Sequence, residues 1–125
     1  MNRVFLVLAF AGAGAPALGA ESSALRAAFG NTIVSTYPDG RQAELWLHPD
    51  GNYDAEGRRH DRSKGHWKVK GEKLCLKQSH PIPVPFAYCT PIAQTRLGGK
   101  WAGKAVTGES ITIRLVRGRA DPARG

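Results

Sequence analysis

The sequence lacks most of the motifs on which common catalytic and metal sites depend. Its two cysteines form no Cys-x-x-Cys pair, no serine lies in a Gly-x-Ser-x-Gly motif, and no glycine-rich phosphate loop occurs in the 125 residues. These absences argue against a thiolate zinc site, a hydrolase of the nucleophile-elbow type and a phosphate-loop nucleotide site. We therefore predict neither a cofactor nor a bound metal.

The chain also lacks a long apolar run, apart from a short one near its N-terminus. Val4 to Ala13 follows the positive Arg3, and Pro16 ends this region well short of the ~20 apolar residues that a membrane-spanning helix needs. Small residues then lead to Ala20. A positive start, a short apolar run and small residues at the end are the three parts of a secretory signal peptide.

The signal peptide sets the expected division of the chain. We expect residues 1–20 to be removed, residues 21–117 to form a single β-barrel domain and residues 118–125 to be a frayed tail. No transmembrane segment would remain after removal of the signal. The sequence thus predicts a periplasmic or secreted protein.

Acidic residues are scarce, since 10 aspartates and glutamates stand against 18 lysines and arginines, and the net charge is +8. Loss of Arg3 with the signal would lower this charge by one. Arg58, Arg59, Arg62 and Lys64 cluster in one segment, while the other basic residues are spread along the chain. One hypothesis is electrostatic adhesion to anionic envelope material, and nucleic acid is disfavoured as a partner.

Both cysteines, Cys75 and Cys89, lie beyond the predicted signal. Exported proteins fold under oxidising conditions, so an even number of cysteines in such a chain favours a disulfide over free thiols. Closing a loop of this length stabilises a domain by about 3 kcal/mol in chain-entropy models. The sequence therefore predicts one disulfide.

Turn signals follow one another at short intervals after residue 30. Pro38-Asp39-Gly40 and Pro49-Asp50-Gly51 are near-identical turns. Between them, Arg41 to His48 alternates, with Leu45 on one side and Trp46 on the other. Two tight turns around an alternating segment are typical of an antiparallel meander.

Similar segments follow along the rest of the chain, and an alanine-rich stretch precedes them. Ala24 to Phe29 is long enough for one or two helical turns, and residues 58–64 are predicted to form a polar loop. The strands expected after Arg41 to His48 are Asn52 to Glu56, Gly65 to Lys70, Lys73 to Lys77, Phe86 to Thr90, Lys100 to Val106 and Ser110 to Val116. The pattern predicts an all-β fold, an antiparallel meander that closes into a roughly eight-stranded up-and-down barrel with a short N-terminal helical segment.

Several short motifs occur in a fixed order between Gly30 and Cys89. They are Gly30-Asn31-Thr32, the two Pro-Asp-Gly turns, Gly65-His66-Trp67, Gly71-Glu72-Lys73-Leu74-Cys75 and the later Cys89. In this order they resemble a group of small secreted proteobacterial β-barrel proteins of uncharacterised function, and Gly-x-Trp distantly resembles the lipocalins. The resemblance implies an exported barrel and brings no activity with it.

The binding-site hypothesis rests on one face of the Arg41 to His48 strand. Alternation places Glu44, Trp46 and His48 on the same side, which lines the cavity of a hollow barrel or faces solvent if the leucines pack against a core. Tyrosines elsewhere add aromatic surface for stacking, and the basic loop adds charge. We expect the Trp46 side to face a cavity that binds a small molecule or a periplasmic protein partner through Trp46, Tyr53, Tyr37, Arg58 and Arg59.

An alternative hypothesis is a small acid/base enzyme, such as a lyase, isomerase or cyclase. Its candidate catalytic residues are Glu44 with His48 or His66, because a carboxylate and an imidazole held together in a pocket suffice for proton transfer. A separation of these groups onto different faces would count against it.

Overall fold

The computed structural model describes residues 25–92 and 96–119, which contain eight antiparallel strands. They are β1 (Thr32–Thr36), β2 (Gln42–Leu47), β3 (Asn52–Glu56), β4 (Arg62–Lys70), β5 (Lys73–His80), β6 (Tyr88–Pro91), β7 (Lys100–Lys104) and β8 (Ser110–Val116). Consecutive strands pair from β1 to β6 and from β7 to β8, and β8 pairs with β1. The predicted all-β barrel of roughly eight strands is therefore confirmed, and it is nearly closed.

The barrel has a seam between β6 and β7, where no backbone ladder joins the described strands. Across it, the Tyr88 hydroxyl donates a hydrogen bond to the carbonyl oxygen of Lys104. On its other side, β6 is linked to β5 by the disulfide between Cys75 and Cys89, whose Cα atoms are 4.0 Å apart. The predicted disulfide is confirmed, and it fixes the shortest strand to its regular neighbour.

Alternation along each strand separates an inner from an outer face, as expected for a barrel. On β2 the inner face is the leucine side, because Leu45 and Leu47 pack with the core while Trp46 points the other way. The buried core side chains come from five strands, from the segment before β1 and from the turn after β7; they are Leu25, Ala28, Ile33, Leu47, Tyr53, Leu74, Ala105, Ile111, Ile113 and Leu115.

One end of the barrel is closed by the residues that precede β1. Leu25 and Ala28 are almost fully buried there, and Phe29 packs against Trp67 with ring centroids 5.8 Å apart. The Ala28 amide donates to the Leu25 carbonyl at 2.9 Å, a turn-type bond over three residues. The predicted helical segment, Ala24 to Phe29, begins outside the described residues; in its described part Leu25 and Arg26 are helical and the residues after them form tight turns.

Strand β4 begins earlier than predicted, and this corrects the polar loop expected over residues 58–64. The chain turns between Gly57 and Asp61, and Arg62 already pairs with Glu56 of β3. Polar residues here alternate with small ones, because the outer face of a barrel strand is solvated. The polar residues at 62–64 were therefore predicted to belong to a loop, although they form the start of a strand with one solvated face.

Gly65 explains the Gly-x-Trp motif. A Cβ atom at this position would overlap the carbonyl oxygen of Lys77, and the β4–β5 register shifts between Lys64 and Gly65. Two residues later, the Trp67 indole donates through Nε1 to the His48 carbonyl at 2.8 Å. The motif thus combines a close backbone approach with an indole that anchors the turn after β2.

The C-terminal segment returns to the barrel wall. The Gly118 amide donates to Asn31 Oδ1 at 2.8 Å, and the Thr32 hydroxyl donates to the Gly118 carbonyl at 2.7 Å. Arg119 then lies over the Trp46 ring, 4.4 Å from its centroid. The first two residues of the expected frayed tail are therefore held in place, and residues 120–125 lie outside the described part.

The predicted signal peptide, residues 1–20, also lies outside the described residues. Within residues 25–92 and 96–119, no helix has the length and apolarity needed to cross a membrane.

Candidate ligand-binding site

The interior of the barrel is not completely filled. A cavity of about 350 Å³ extends from Leu25 at the closed end to the turns at the opposite end of the barrel. This volume lies in the range of small-molecule sites, and such sites have mainly apolar walls with a few polar groups. The cavity exists because several inward-facing positions carry side chains too small to fill the interior. They are Ser35, Ala43, Ala55, Ser63 and Ala105.

The walls of the cavity are aliphatic and aromatic. The aliphatic part includes Ile33, Leu45, Leu74, Leu76, Ile111 and Ile113, and the aromatic part includes Tyr37, Tyr53, Tyr88 and Trp101. Burial raises the pKa of the Tyr53 phenol above its ordinary value. The tyrosines at the wall therefore stay neutral at physiological pH and offer hydroxyl groups rather than negative charge.

Burial raises the pKa of two further wall tyrosines, Tyr37 and Tyr88, in the same way as that of Tyr53. Burial raises the pKa of Tyr37, and the nearby Arg58 guanidinium acts in the opposite direction. Burial also raises the pKa of Tyr88, whose hydroxyl donates a hydrogen bond to the carbonyl oxygen of Lys104. Both phenols are therefore hydrogen-bonding groups at the cavity wall.

Trp101 contributes a polar atom to the wall. Its indole Nε1 is buried, and no described group accepts a hydrogen bond from it. Buried donors in folded proteins are nearly always satisfied by protein, water or ligand. This N–H group is therefore available to an oxygen atom of a molecule inside the cavity. No pattern in the sequence singles out this atom.

The mouth of the cavity is bordered by exposed apolar side chains. Phe86 and Val106 line the cavity and are 60% and 68% exposed, and Ile82, which is 69% exposed, belongs to the same loop as Phe86. Exposed apolar groups next to a concave apolar site are a common feature of binding surfaces. No pattern in the sequence singles out these residues, because Ile82 and Phe86 lie among prolines and Val106 lies at the end of a predicted strand.

Two of the predicted binding residues lie where a ligand could reach them. Tyr37 and Tyr53 both line the cavity. Arg58 lies over the Tyr37 ring, 4.1 Å from its centroid, and its guanidinium bonds Glu109 at 2.9 Å. Arg58 therefore supports a wall residue at the mouth. Arg59 is exposed and borders a separate polar depression on the outer surface.

The expectation that the Trp46 side faces the cavity is corrected by the structure. Trp46 lies on the outer side of β2, yet it is only 2% exposed because Arg119 covers it and its Nε1 donates to the Thr32 hydroxyl at 3.0 Å. Both faces of β2 are therefore buried at this point, and Leu45 takes the place in the cavity wall that was expected for Trp46.

The predicted acid/base residues do not assemble into a pair. Glu44 and His48 are four residues apart on an extended strand, roughly 13 Å. His48 Nε2 instead lies 2.8 Å from Asp54 Oδ2 on the outer surface, where both side chains are partly exposed. His66 is exposed on the outer face of β4. Glu44 borders both the cavity and the outer polar depression.

A buried carboxylate lies near this depression and was missed by sequence reasoning. Glu56 is 2% exposed, and its two oxygens lie 3.1 Å from Arg62 Nε and 3.1 Å from His60 Nδ1. These contacts hold the turn between β3 and β4 closed. Among the described residues, no group of three or more histidine, cysteine or acidic side chains is arranged to hold a metal ion.

Comparisons with known proteins give no relative for this chain. No family model matches it, and no significant match was found among curated proteins or solved structures. The resemblance drawn from the short motifs therefore stays a prediction, and the site must be interpreted from its own geometry.

Proposed function

We propose that this chain is an exported binding module that holds a small, mainly apolar molecule inside its barrel. The observation that carries the proposal is the cavity of about 350 Å³ with aliphatic and aromatic walls and an apolar mouth. A cavity enclosed by strands suits a small molecule better than a protein surface, since its walls reach the bottom of the barrel at Leu25. Its few polar wall groups, Trp101 Nε1 among them, suit a ligand that carries an oxygen acceptor.

Export is supported by the disulfide. The pair Cys75–Cys89 is the kind of link that forms and persists outside the reducing cytoplasm. A periplasmic or secreted location agrees with the predicted signal peptide, and both belong to the proposal.

The proposal predicts binding of an uncharged apolar fluorophore, N-phenyl-1-naphthylamine. Its fluorescence should rise when the protein is added, because the cavity removes the dye from water. The double variant Ala43→Leu with Ala55→Leu fills part of the cavity from two neighbouring strands, and we expect it to weaken binding about tenfold or more. A tenfold loss corresponds to about 1.4 kcal/mol, a modest share of what burying an apolar ligand contributes.

The matched control is Ala102→Leu, which adds the same side chain at an exposed position of β7 that points away from the cavity. Its affinity for the dye should equal that of the unmodified protein. Equal dye binding by the filled variant, or no binding by the unmodified protein, would contradict the proposal. Circular dichroism on all variants would separate loss of the site from loss of the fold.

No observation among the described residues favours the acid/base enzyme as a second candidate. The proton-transfer pair that it requires, Glu44 with His48, is separated along the strand, and His48 bonds Asp54 outside the cavity.

A further inference from the structure

The outer face of β4 carries a basic residue at every outward position. These residues are Arg62, Lys64, His66, Lys68 and Lys70, and all of them are exposed. Side chains two residues apart on a strand point to the same side, so the five groups form a row along the barrel wall. The inward positions between them hold small or apolar residues, so the alternation is strict.

The neighbouring strand widens this row into a surface. In the β4–β5 register, His66 lies opposite Lys77, and Lys70 lies opposite Lys73. We call Lys64, Lys68, Lys70, Lys73 and Lys77 the lysine face. Like charges placed opposite each other on a sheet destabilise it by up to about 1 kcal/mol for each pair, so such a face is unfavourable in the absence of an anionic partner.

The protein's own acidic groups do not neutralise the lysine face. None of its five lysines forms an ion pair with an acidic side chain among the described residues. Asp54 lies opposite Lys64 in the register, but its carboxylate is bonded to His48 at 2.8 Å. By contrast, Arg58 of the preceding turn is paired with Glu109, and Arg62 at the start of β4 is paired with Glu56. Two arginines of the basic segment are therefore neutralised by acidic partners, whereas, within the described part of the chain, the five lysines of β4 and β5 are not.

Exposed apolar side chains adjoin this charged surface. Strand β5 ends at His80, and the chain that continues from it carries Ile82 and Phe86, which are more than half exposed. Phe86 also lines the cavity. In the β4–β5 register Lys64 lies opposite His80, so this end of β5 brings one cation of the lysine face next to the segment that carries Ile82 and Phe86.

We propose that the lysine face and the Ile82–Phe86 segment dock on a lipid bilayer that contains anionic lipids. Headgroup phosphates attract the lysines, and the interface buries Ile82 and Phe86, a combination that is typical of proteins bound at membrane surfaces. A water-soluble polyanion would satisfy the lysines but would leave both apolar side chains in water. Docking places the mouth of the cavity beside the acyl chains. It requires no ligand in the barrel, so it stands independently of the proposed function.

The test is sedimentation of the purified exported protein with vesicles. Vesicles of phosphatidylcholine with an equal part of phosphatidylglycerol should bind it, and vesicles of phosphatidylcholine alone should bind it about tenfold or more weakly. The variant Lys68→Glu with Lys77→Glu should lose affinity for the anionic vesicles by about tenfold or more. The control variant Lys100→Glu with Arg114→Glu changes the net charge equally at a facing pair on β7 and β8, and should bind within about twofold of the unmodified protein.

A second pair of measurements tests the apolar contribution. Ile82→Ser with Phe86→Ser should weaken binding to the anionic vesicles and leave binding to heparin unchanged. Equal losses in the two charge variants would overturn the proposal, because net charge alone would then explain binding. Loss of heparin binding with no change on vesicles, or no vesicle binding at all, would also overturn it. A protein that binds the naphthylamine dye but ignores vesicles would refute docking and leave the cavity proposal intact.

Discussion

Replacing Cys75 and Cys89 together with alanine is expected to lower the free energy of unfolding by about 3 kcal/mol. The bridge joins residues separated by 14 positions, and the loss of that loop constraint increases the entropy of the unfolded chain. Small domains are stable by only about 5–15 kcal/mol, so the change removes a large part of the total. Alanine is suitable because Cys75 is almost fully buried on the outer side of β5 and a polar replacement would add a second effect.

Urea unfolding followed by tryptophan fluorescence measures this change. The unmodified protein should unfold at a lower urea concentration once a reductant is added, whereas the double alanine variant should not respond to reductant. An unchanged midpoint in the variant would show that the bridge does not constrain the unfolded chain in the expected way. Because β6 carries Tyr88 of the cavity wall and lacks a ladder on its other side, the variant should also bind the naphthylamine dye less tightly.

Leu47→Ala is expected to cost 2–5 kcal/mol of stability, in the range measured for truncation of large aliphatic side chains in well-packed cores. Leu47 is 1% exposed, and it faces the core beside Tyr53, its partner in the β2–β3 register. The truncation removes buried apolar surface and leaves a void inside the barrel. The hydrogen-bonded strands around this void cannot easily move inward to fill it. The magnitude is comparable with that of the disulfide, although a single side chain is changed.

The same urea experiment measures the Leu47 variant, with Ile82→Ala as its control. Ile82 is similar in size but mostly exposed, so its truncation should change stability by less than about 0.5 kcal/mol. A cost for Leu47→Ala as small as that of the control would mean that the leucine side of β2 does not face the core. This result would also remove the basis for assigning Leu45 to the cavity wall.

The fold could be predicted from sequence because its signals are local. The Pro-Asp-Gly turns fix where β2 begins and ends, and the strict alternation from Ser110 to Val116 gives the bounds of β8 as observed. The segment Asn52 to Glu56 was likewise predicted with its observed limits. A meander needs only such local information, because each strand pairs with the next. The failure at residues 62–64 shows the limit, since a polar outer face resembles a loop when the partner strand is unknown.

The site was harder to predict because it depends on contacts between distant parts of the chain. Alternation divides β2 into two faces but does not say which one is inside, and Trp46 suggested the wrong one. Its burial comes from Arg119, which lies far along the chain and packs on the outer wall. In the same way, His48 was paired with Glu44 of its own strand, while its partner is Asp54 of the neighbouring one. Contacts with residues outside the strand, rather than residue type, decide both questions.

The seam between β6 and β7 leaves two strand edges without backbone partners among the described strands. Edges of this kind recruit strands from other molecules and begin aggregation when they are long and flat. Here β6 is four residues long and ends at Pro91, which has no amide hydrogen to offer. Strand β7 places charged Lys100 and Lys104 along its exposed side. Incomplete closure is thus combined with edges that are poor templates for self-association, and we expect the protein to resist sheet-to-sheet assembly at high concentration.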